Sequence, residues 1–188
     1  MNSLPIKRYV IVGTTSSGKS TLAKALADRI GADLIDLDYL HWEPNWVEAP
    51  DEVFRERVKE AISTESWVVA GNYHVTRDLI WSQAQAIIWL DYPFLTVFWR
   101  LLTRTFRRVV TKEKLFSDNV ENFWTQVKFW SQDSLINWLF KTYWRRKREY
   151  PQLFTLPENA HLQVIRFKTP KEAQEWLALS VKRSDQKD

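Results

Sequence analysis

Residues 13–20 read Gly-Thr-Thr-Ser-Ser-Gly-Lys-Ser, a complete G-x-x-x-x-G-K-[ST] loop. No other feature limits the fold as tightly, because this spacing works only between a β-strand and the first turn of a helix. Both flanks comply: residues 8–12 are a short apolar, β-branched run, and residues 22–27 are strong helix formers. In such a turn Gly13 and Gly18 let the backbone wrap closely around an anion. The amides of Thr15, Ser16, Ser17, Gly18, Lys19 and Ser20 turn inward, and the helix dipole favours negative charge there. Lys19 can reach the outer phosphates and the Ser20 hydroxyl can serve Mg2+, while Thr14 and Thr21 complete the cradle, Thr21 towards the α-phosphate. A chance match in a Gly/Ser turn is the bland reading, and the strand and helix on either side argue against it. The loop therefore predicts binding of a nucleoside triphosphate.

The 188 residues are the length of one domain, and at 45% hydrophobic content they should bury a core. Cysteine is absent, so no disulfide, thiol nucleophile or thiolate metal site is available. Residues 1–7 contain no apolar leader core and no apolar run approaches a membrane span, so a cytoplasmic protein is expected. The net charge of +4 is unevenly placed. Residues 100–149 hold 12 Lys/Arg against 5 Asp/Glu, and the remaining residues hold 15 against 18. One basic segment, and not the whole fold, would meet phosphates of a small substrate, a nucleic acid or a membrane surface.

Strand and helix patterns alternate along most of the chain. Strands are expected at residues 8–12, 32–36, 66–70, 86–91 and 162–167, with a helix from Pro50-Asp51 to about residue 64 and a last helix from Pro170. This rhythm predicts a three-layer α/β fold with a five-stranded parallel sheet. Residues 94–150 interrupt it. Two helices, roughly 94–111 and 118–149, read as an insertion that is either a mobile lid or a rigid cap.

Several constellations fall at the expected carboxyl edge of the sheet, where ligands bind in open α/β folds. Asp36 and Asp38, two apart on one strand, would point the same way, one suited to Mg2+ and the other to an acceptor hydroxyl or phosphate. Asp91 ends an apolar strand in the manner of a Walker B acid, with a purely structural turn as an equal reading. Gly71, Asn72 and Tyr73 close the third strand, and Arg77 follows within reach of the same cleft. His41, Trp42 and Trp46 could wall an acceptor pocket or simply pack a loop. A metal role for His41 is not expected, since only His74 and His161 remain as partners. Arg100, Arg104, Arg107 and Arg108 share much of one helix face, and arginine clusters stabilise charge on a transferring phosphoryl group; a solvated face is the alternative. Residues 145–148, Arg-Arg-Lys-Arg, are expected to end a helix, where its dipole favours cations. Of the eleven tryptophans, four lie in residues 124–144. Helical spacing there favours packing over stacking of nucleic-acid bases.

These residues together resemble the adenylate-kinase type of P-loop protein. More narrowly they are similar to small P-loop proteins known as DNA topology modulation proteins or nucleotide-kinase-like proteins. The marks are Leu37-Asp38-Tyr39-Leu40-His41-Trp42 with Pro44 and Trp46, then Gly71-Asn72-Tyr73, then Leu90-Asp91-Tyr92-Pro93 with Arg100 and Arg104. The resemblance spans nearly the whole chain. It implies a sheet of order 2-3-1-4-5 with a helical lid after the fourth strand. It implies that Arg100 covers the adenine, that Arg104 meets transferring phosphates, and that the loop at Lys168 borders the adenine. Asp36 and Asp38 resemble the Asp-x-Asp of shikimate and gluconate kinases. One position departs: the resemblance calls for an acid before Gly71, and Ala70 stands there. That acid ordinarily helps to hold Mg2+ through water, so its role would have to pass to Asp36.

The sequence thus predicts an ATP- and Mg2+-dependent phosphotransferase. Lys19 and the loop would hold the phosphates, Ser20 and Asp36 the metal, and Asp38 would orient or deprotonate the acceptor. Arg104, with Arg108, would neutralise the transition state, and His41, Gly71, Asn72, Tyr73 and Arg77 would line the acceptor site. The partners expected are a nucleoside triphosphate and a nucleotide, nucleoside or other small hydroxyl compound, handled by a monomer or homodimer with no membrane contact. The alternative is a slow ATPase whose basic helices meet nucleic acid.

Overall fold

The computed structural model describes residues 6–111 and 135–182. Five strands form one parallel sheet: β1 (Arg8–Gly13), β2 (Asp33–Asp36), β5 (Trp67–Ala70), β6 (Ala86–Leu90) and β7 (Gln163–Phe167). Their spatial order is β2-β5-β1-β6-β7, which is 2-3-1-4-5 when these strands are counted along the chain. β3 (Trp42–Glu43) and β4 (Val47–Glu48) make a separate two-stranded antiparallel ribbon. The expected helix boundaries shift slightly, α3 covering Asp51–Ala61. The other helices are α1 (Lys19–Ile30), α2 (Leu37–His41), α4 (Arg77–Gln83), α5 (Phe94–Thr111), α6 (Leu135–Phe154) and α7 (Pro170–Lys182). No helix among the described residues is long and apolar enough to cross a membrane.

Apart from Arg8 at the start of β1, the central strands carry apolar residues or glycine, because helices cover both faces of a parallel sheet. In β1, Tyr9 and Ile11 enter one core with Leu22, Leu26, Val97 and Leu101, while Val10 and Val12 enter the other with Phe54, Val58 and Ile80. β6 alternates likewise, with Ile88 and Leu90 on the first face and Ile87 and Trp89 on the second.

Helix α6 belongs to both cores. Leu139 and Tyr143 pack into the first, and Tyr150 into the second, where Leu153 and Phe154 join it. The helix therefore passes across the carboxyl edge of the sheet. Three side chains on one of its faces tie it to the loops after the strands. The Tyr143 hydroxyl donates to the Tyr92 carbonyl at 3.1 Å, Lys147 Nζ lies 3.7 Å from Asp91, and the Tyr150 hydroxyl donates to Asn72 Oδ1 at 2.9 Å.

This corrects two expectations. The second insertion helix was expected to stop at residue 149; it continues through Pro151 to Phe154. A proline inside a helix forfeits one backbone bond. Here the far end is held by rings: Phe154 stacks on Tyr150 at 5.7 Å and on Trp81 at 5.7 Å. Residues 145–148 consequently lie within the helix and not at its end. The expected helical stretch 118–134, with Trp124 and Trp130, lies outside the described residues. Of the two equal readings of Asp91 the geometry supports the structural one: it is buried, accepts from Arg166 Nε at 3.0 Å and also meets Arg166 Nη2, and so pins β7 and α6 to the end of β6.

Gly71 carries a packing constraint. A Cβ there would come 2.7 Å from the Leu37 side chain, which itself is buried against the sheet. Gly71→Ala is expected to cost about 1–3 kcal/mol by overpacking. For a chain of this size that corresponds to a fall in Tm of roughly 2–12 °C, measurable by calorimetry. An unchanged Tm would show that Leu37 yields freely.

Candidate functional site

The site is built where β1 ends. Gly18 precedes α1 at φ 94° and ψ 25°, a left-handed conformation that glycine adopts without strain. It turns the loop so that α1 starts at Lys19 with its first amides facing the cleft. The loop is braced from the neighbouring strand. Asn72, just past β5, accepts from the Gly13 amide at 3.1 Å and donates back to the Gly13 carbonyl.

Lys19 Nζ donates to the Thr14 carbonyl at 3.0 Å. Burial, and then the neighbouring charge of Arg146, push its pKa down to about 8, with Arg104 adding to the effect. Arg146 is itself held below the usual arginine range, chiefly by burial. Two partly desolvated cations facing the same loop are a configuration that an anion relieves.

Asp36 ends β2 and caps α2, accepting from the Asp38 amide at 3.1 Å. Burial raises its pKa, and the Ser20 side chain that hydrogen-bonds to it works in the opposite direction. A cation beside this pair would favour the charged form of the carboxyl. Among the described residues no three His, Cys, Asp or Glu side chains gather to hold a metal. Mg2+ in phosphate-binding sites needs only one or two protein oxygens, its shell being completed by phosphate and water. Ala70 is the register partner of Asp36 across β2 and β5. A carboxylate therefore stands beside position 70, on the neighbouring strand.

Asp38 was expected on the strand beside Asp36; it lies instead in the first turn of α2. The chain turns at Asp36 because its carboxylate satisfies an amide at the start of that helix. The Tyr73 hydroxyl donates to Asp38 Oδ1 at 2.7 Å. Burial first, and the Asp38 charge second, raise the Tyr73 pKa far above the usual tyrosine range, so it remains a neutral donor. His41, Phe54 and Tyr73 pack ring to ring behind this pair, at centroid distances of 4.4 to 5.1 Å.

The opposite wall is cationic. Arg100 donates to the Ser17 carbonyl at 3.0 Å and lies over the Tyr92 ring at 5.7 Å. Arg104, Arg107 and Arg108 continue down α5, and Arg145 and Arg146 face them from α6. Between the walls is one cleft of about 2230 Å³. Ligand pockets usually measure about 300–1,000 Å³, so this one has room for two ligands side by side. Among the described residues eight Lys/Arg and five Asp/Glu line it.

Of the residues read from the sequence, the cleft wall contains Thr15, Ser16, Gly18, Lys19, Ser20, Thr21, Asp36, Asp38, His41, Gly71, Asn72, Tyr73, Arg77, Arg100, Arg104 and Arg108. Gly13, Thr14 and Ser17 form the buried underside of the loop. Asn72 is occupied with Gly13 and Tyr150, which makes it a brace more than an acceptor ligand. Lys168 stands away from this wall. Its amide donates to Glu172 at 2.8 Å and Thr169 accepts from the Glu172 amide at 3.2 Å, so the loop caps α7. Sequence reasoning missed Arg145, Arg146 and Glu149. The signal for Arg146 was available: Ile136, Leu139, Tyr143, Arg146 and Tyr150 follow helical spacing, so one arginine interrupts an apolar stripe.

Comparison with known proteins gives the fold. No protein-family model matches the chain. A shikimate kinase of Parabacteroides distasonis is 41% identical over 56 residues, which are 30% of this chain and 32% of that protein. The likeness thus spans about a third of the curated relative. Among solved structures, shikimate kinase from Acinetobacter baumannii in complex with shikimate matches 95% of each chain at 17% identity and TM-score 0.55. Shikimate kinase from Bacteroides thetaiotaomicron matches 96% of this chain and 99% of its own at 16% identity and TM-score 0.54. A gluconokinase from Sinorhizobium meliloti 1021 matches 94% of each chain at 16% identity and TM-score 0.50. The fold is that of the P-loop kinases these proteins exemplify. The broad likeness to adenylate kinases is compatible with it, and the narrower one to DNA topology modulation proteins is not shown.

The state of Lys19 gives a pH test. Its pKa in the free protein is about 8, and a bound polyphosphate raises it. The stabilisation of the complex is then full below pH 8 and is lost as pH rises above it. Binding of an ATP analogue at pH 8.5 should take up a fraction of a proton, read by calorimetry in two buffers of different ionisation heat. Lys19→Met should abolish that uptake. Proton release on binding would contradict the assignment.

Proposed function

We propose that this protein transfers the γ-phosphoryl group of ATP, with Mg2+, to a hydroxyl of a small molecule: a nucleotide, a nucleoside or another hydroxyl compound. The observation that carries the reading is the placement of the Asp38 carboxylate across the cleft from two desolvated cations, Lys19 and Arg146. A nucleophile-activating base and a sink for phosphoryl charge are the two things the reaction needs from a protein.

Phosphates enter against the loop amides and Lys19, which exchanges the Thr14 carbonyl for a phosphate oxygen. Arg100, already on the loop at Ser17, borders the nucleotide. Ser20 and Asp36 would hold Mg2+, which would supply Lewis-acid neutralisation of the phosphate charge. The acceptor hydroxyl meets the free oxygen of Asp38, while Tyr73 fixes the other. Its oxygen attacks phosphorus in line, and its proton passes to Asp38. As the new P–O bond forms, the bond from phosphorus to the bridging oxygen of ADP breaks. Charge developing on the equatorial oxygens meets Lys19, Arg104 and Arg146, while Arg108 serves from further along α5.

Two substitutions separate these roles. Loss of a general base costs about 100- to 10,000-fold in rate, so Asp38→Asn should lower kcat by at least about 100-fold with the KM for ATP nearly unchanged. Removing an arginine that stabilises the transition state costs up to about 1,000-fold or more. Arg146→Ala should therefore lower kcat by 100-fold or more, with partial recovery in Arg146→Lys. Acceptor-dependent transfer that survives Asp38→Asn would overturn the assignment of the base.

A further inference from the structure

The two walls of the cleft differ in kind. Lys19, Arg77 on α4, the α5 arginines and α6 supply cations. The wall made by α2, the β3–β4 ribbon and α3 supplies none among its lining residues: it presents Asp38, Glu48 and Asp51 with His41, Trp42, Trp46 and Phe54. A carboxylate or phosphate on a ligand would be repelled there. An uncharged planar ring would be received well, since rings stack or meet edge to face with aromatic side chains.

The rings stand close to the proposed reacting hydroxyl. His41 follows Asp38 by three residues, on the same side of α2. The His41 and Trp42 centroids are 5.0 Å apart, and those of Trp42 and Trp46 are 5.5 Å apart at 79°. Trp42 and Trp46 are only half-buried, while His41 and Phe54 are buried behind them. The turn that carries Trp46 is strained. Asn45 and Trp46 adopt φ values of 63° and 59° in succession, and a bulky side chain at positive φ is an outlier. A turn that served only to join two short strands would place glycine or asparagine at both positions. Strain of this kind persists where a side chain must be presented to a ligand; here it delivers the Trp46 indole to the cleft.

We propose that Trp42 and Trp46 form a stacking subsite for a neutral heteroaromatic ring, and that the phosphoryl acceptor is a nucleoside whose sugar hydroxyl reaches Asp38 while its base lies against these indoles. This rests on the phosphotransfer reading for the direction of the hydroxyl, but the subsite itself is a matter of binding. It separates the chain from the shikimate kinases and gluconokinase whose fold it shares, because the sugar acid gluconate carries a carboxylate and no aromatic ring.

Calorimetric titration tests it with adenosine, cytidine and thymidine, and with D-gluconate and shikimate as non-aromatic comparators. Each is titrated into the full chain saturated with Mg2+ and a non-hydrolysable ATP analogue. At least one nucleoside should bind. Trp46→Ala should weaken it tenfold or more and Trp46→Phe less than threefold, with affinity for the ATP analogue unchanged in both. The analogue's unchanged affinity reports that the variants fold. The subsite is overturned if no nucleoside binds at millimolar concentration, or if Trp46→Ala leaves binding intact. Phosphoryl transfer assayed in parallel distinguishes the two failures. Transfer to gluconate or shikimate without nucleoside binding removes the subsite and keeps the kinase. Trp46-dependent nucleoside binding without transfer keeps the subsite and removes the kinase.

Discussion

Helix α6 crosses the carboxyl edge of the sheet, and the chemistry at that edge depends on its staying there. Tyr143, Lys147 and Tyr150 fasten it to the ends of β6 and β5 through Tyr92, Asp91 and Asn72. Arg146 lies on the same face, between those fastenings, and so faces Lys19 and the phosphate loop. Without the fastenings a flexible arginine would retreat to water, since burying an unpaired guanidinium is unfavourable. Asn72 links the two halves of this arrangement. It holds the first glycine of the loop and the last anchor of α6, so the loop and the helix above it share one fixed point.

The site is electrostatically unbalanced by construction. Arginines and Lys19 gather on one side with their charge only partly offset, and carboxylates with aromatic rings gather on the other. The two halves suit the two ends of a phosphoryl transfer: polyphosphate on one side, an uncharged hydroxyl compound on the other. Ala70 fits the same picture. With no acid at the end of β5, Asp36 on the adjacent strand stands beside Ser20 instead.

The sheet was legible because a parallel sheet covered on both faces leaves short apolar strands between helical patterns, and because the phosphate loop fixes which strand is central. The loop's own residues were legible for the same reason: their roles follow from backbone geometry. What sequence reasoning missed depends on contacts between distant segments. Asp36-Leu37-Asp38 reads as a strand until the side chain of Asp36 is seen to cap α2. Asp91 resembles a metal acid until Arg166 and Lys147, 75 and 56 residues away, are seen to take its charge. Residues 145–148 read as a helix end, where the dipole favours cations; only the ring stack of Trp81, Tyr150 and Phe154 explains why the helix continues. Arg146 could have been found, as the one cation on an apolar stripe.

The central claim is that phosphate leaves ATP for a small organic acceptor and not for water. The direct measurement is a single-turnover reaction of the full chain with γ-labelled ATP and Mg2+, in the presence of pooled nucleosides, nucleoside monophosphates and hydroxy acids. The products are then resolved by chromatography. Transfer to an acceptor puts the label in one phosphorylated organic product, formed far faster than inorganic phosphate. Label appearing only as inorganic phosphate, at a rate no acceptor changes, would contradict it and leave a slow ATPase.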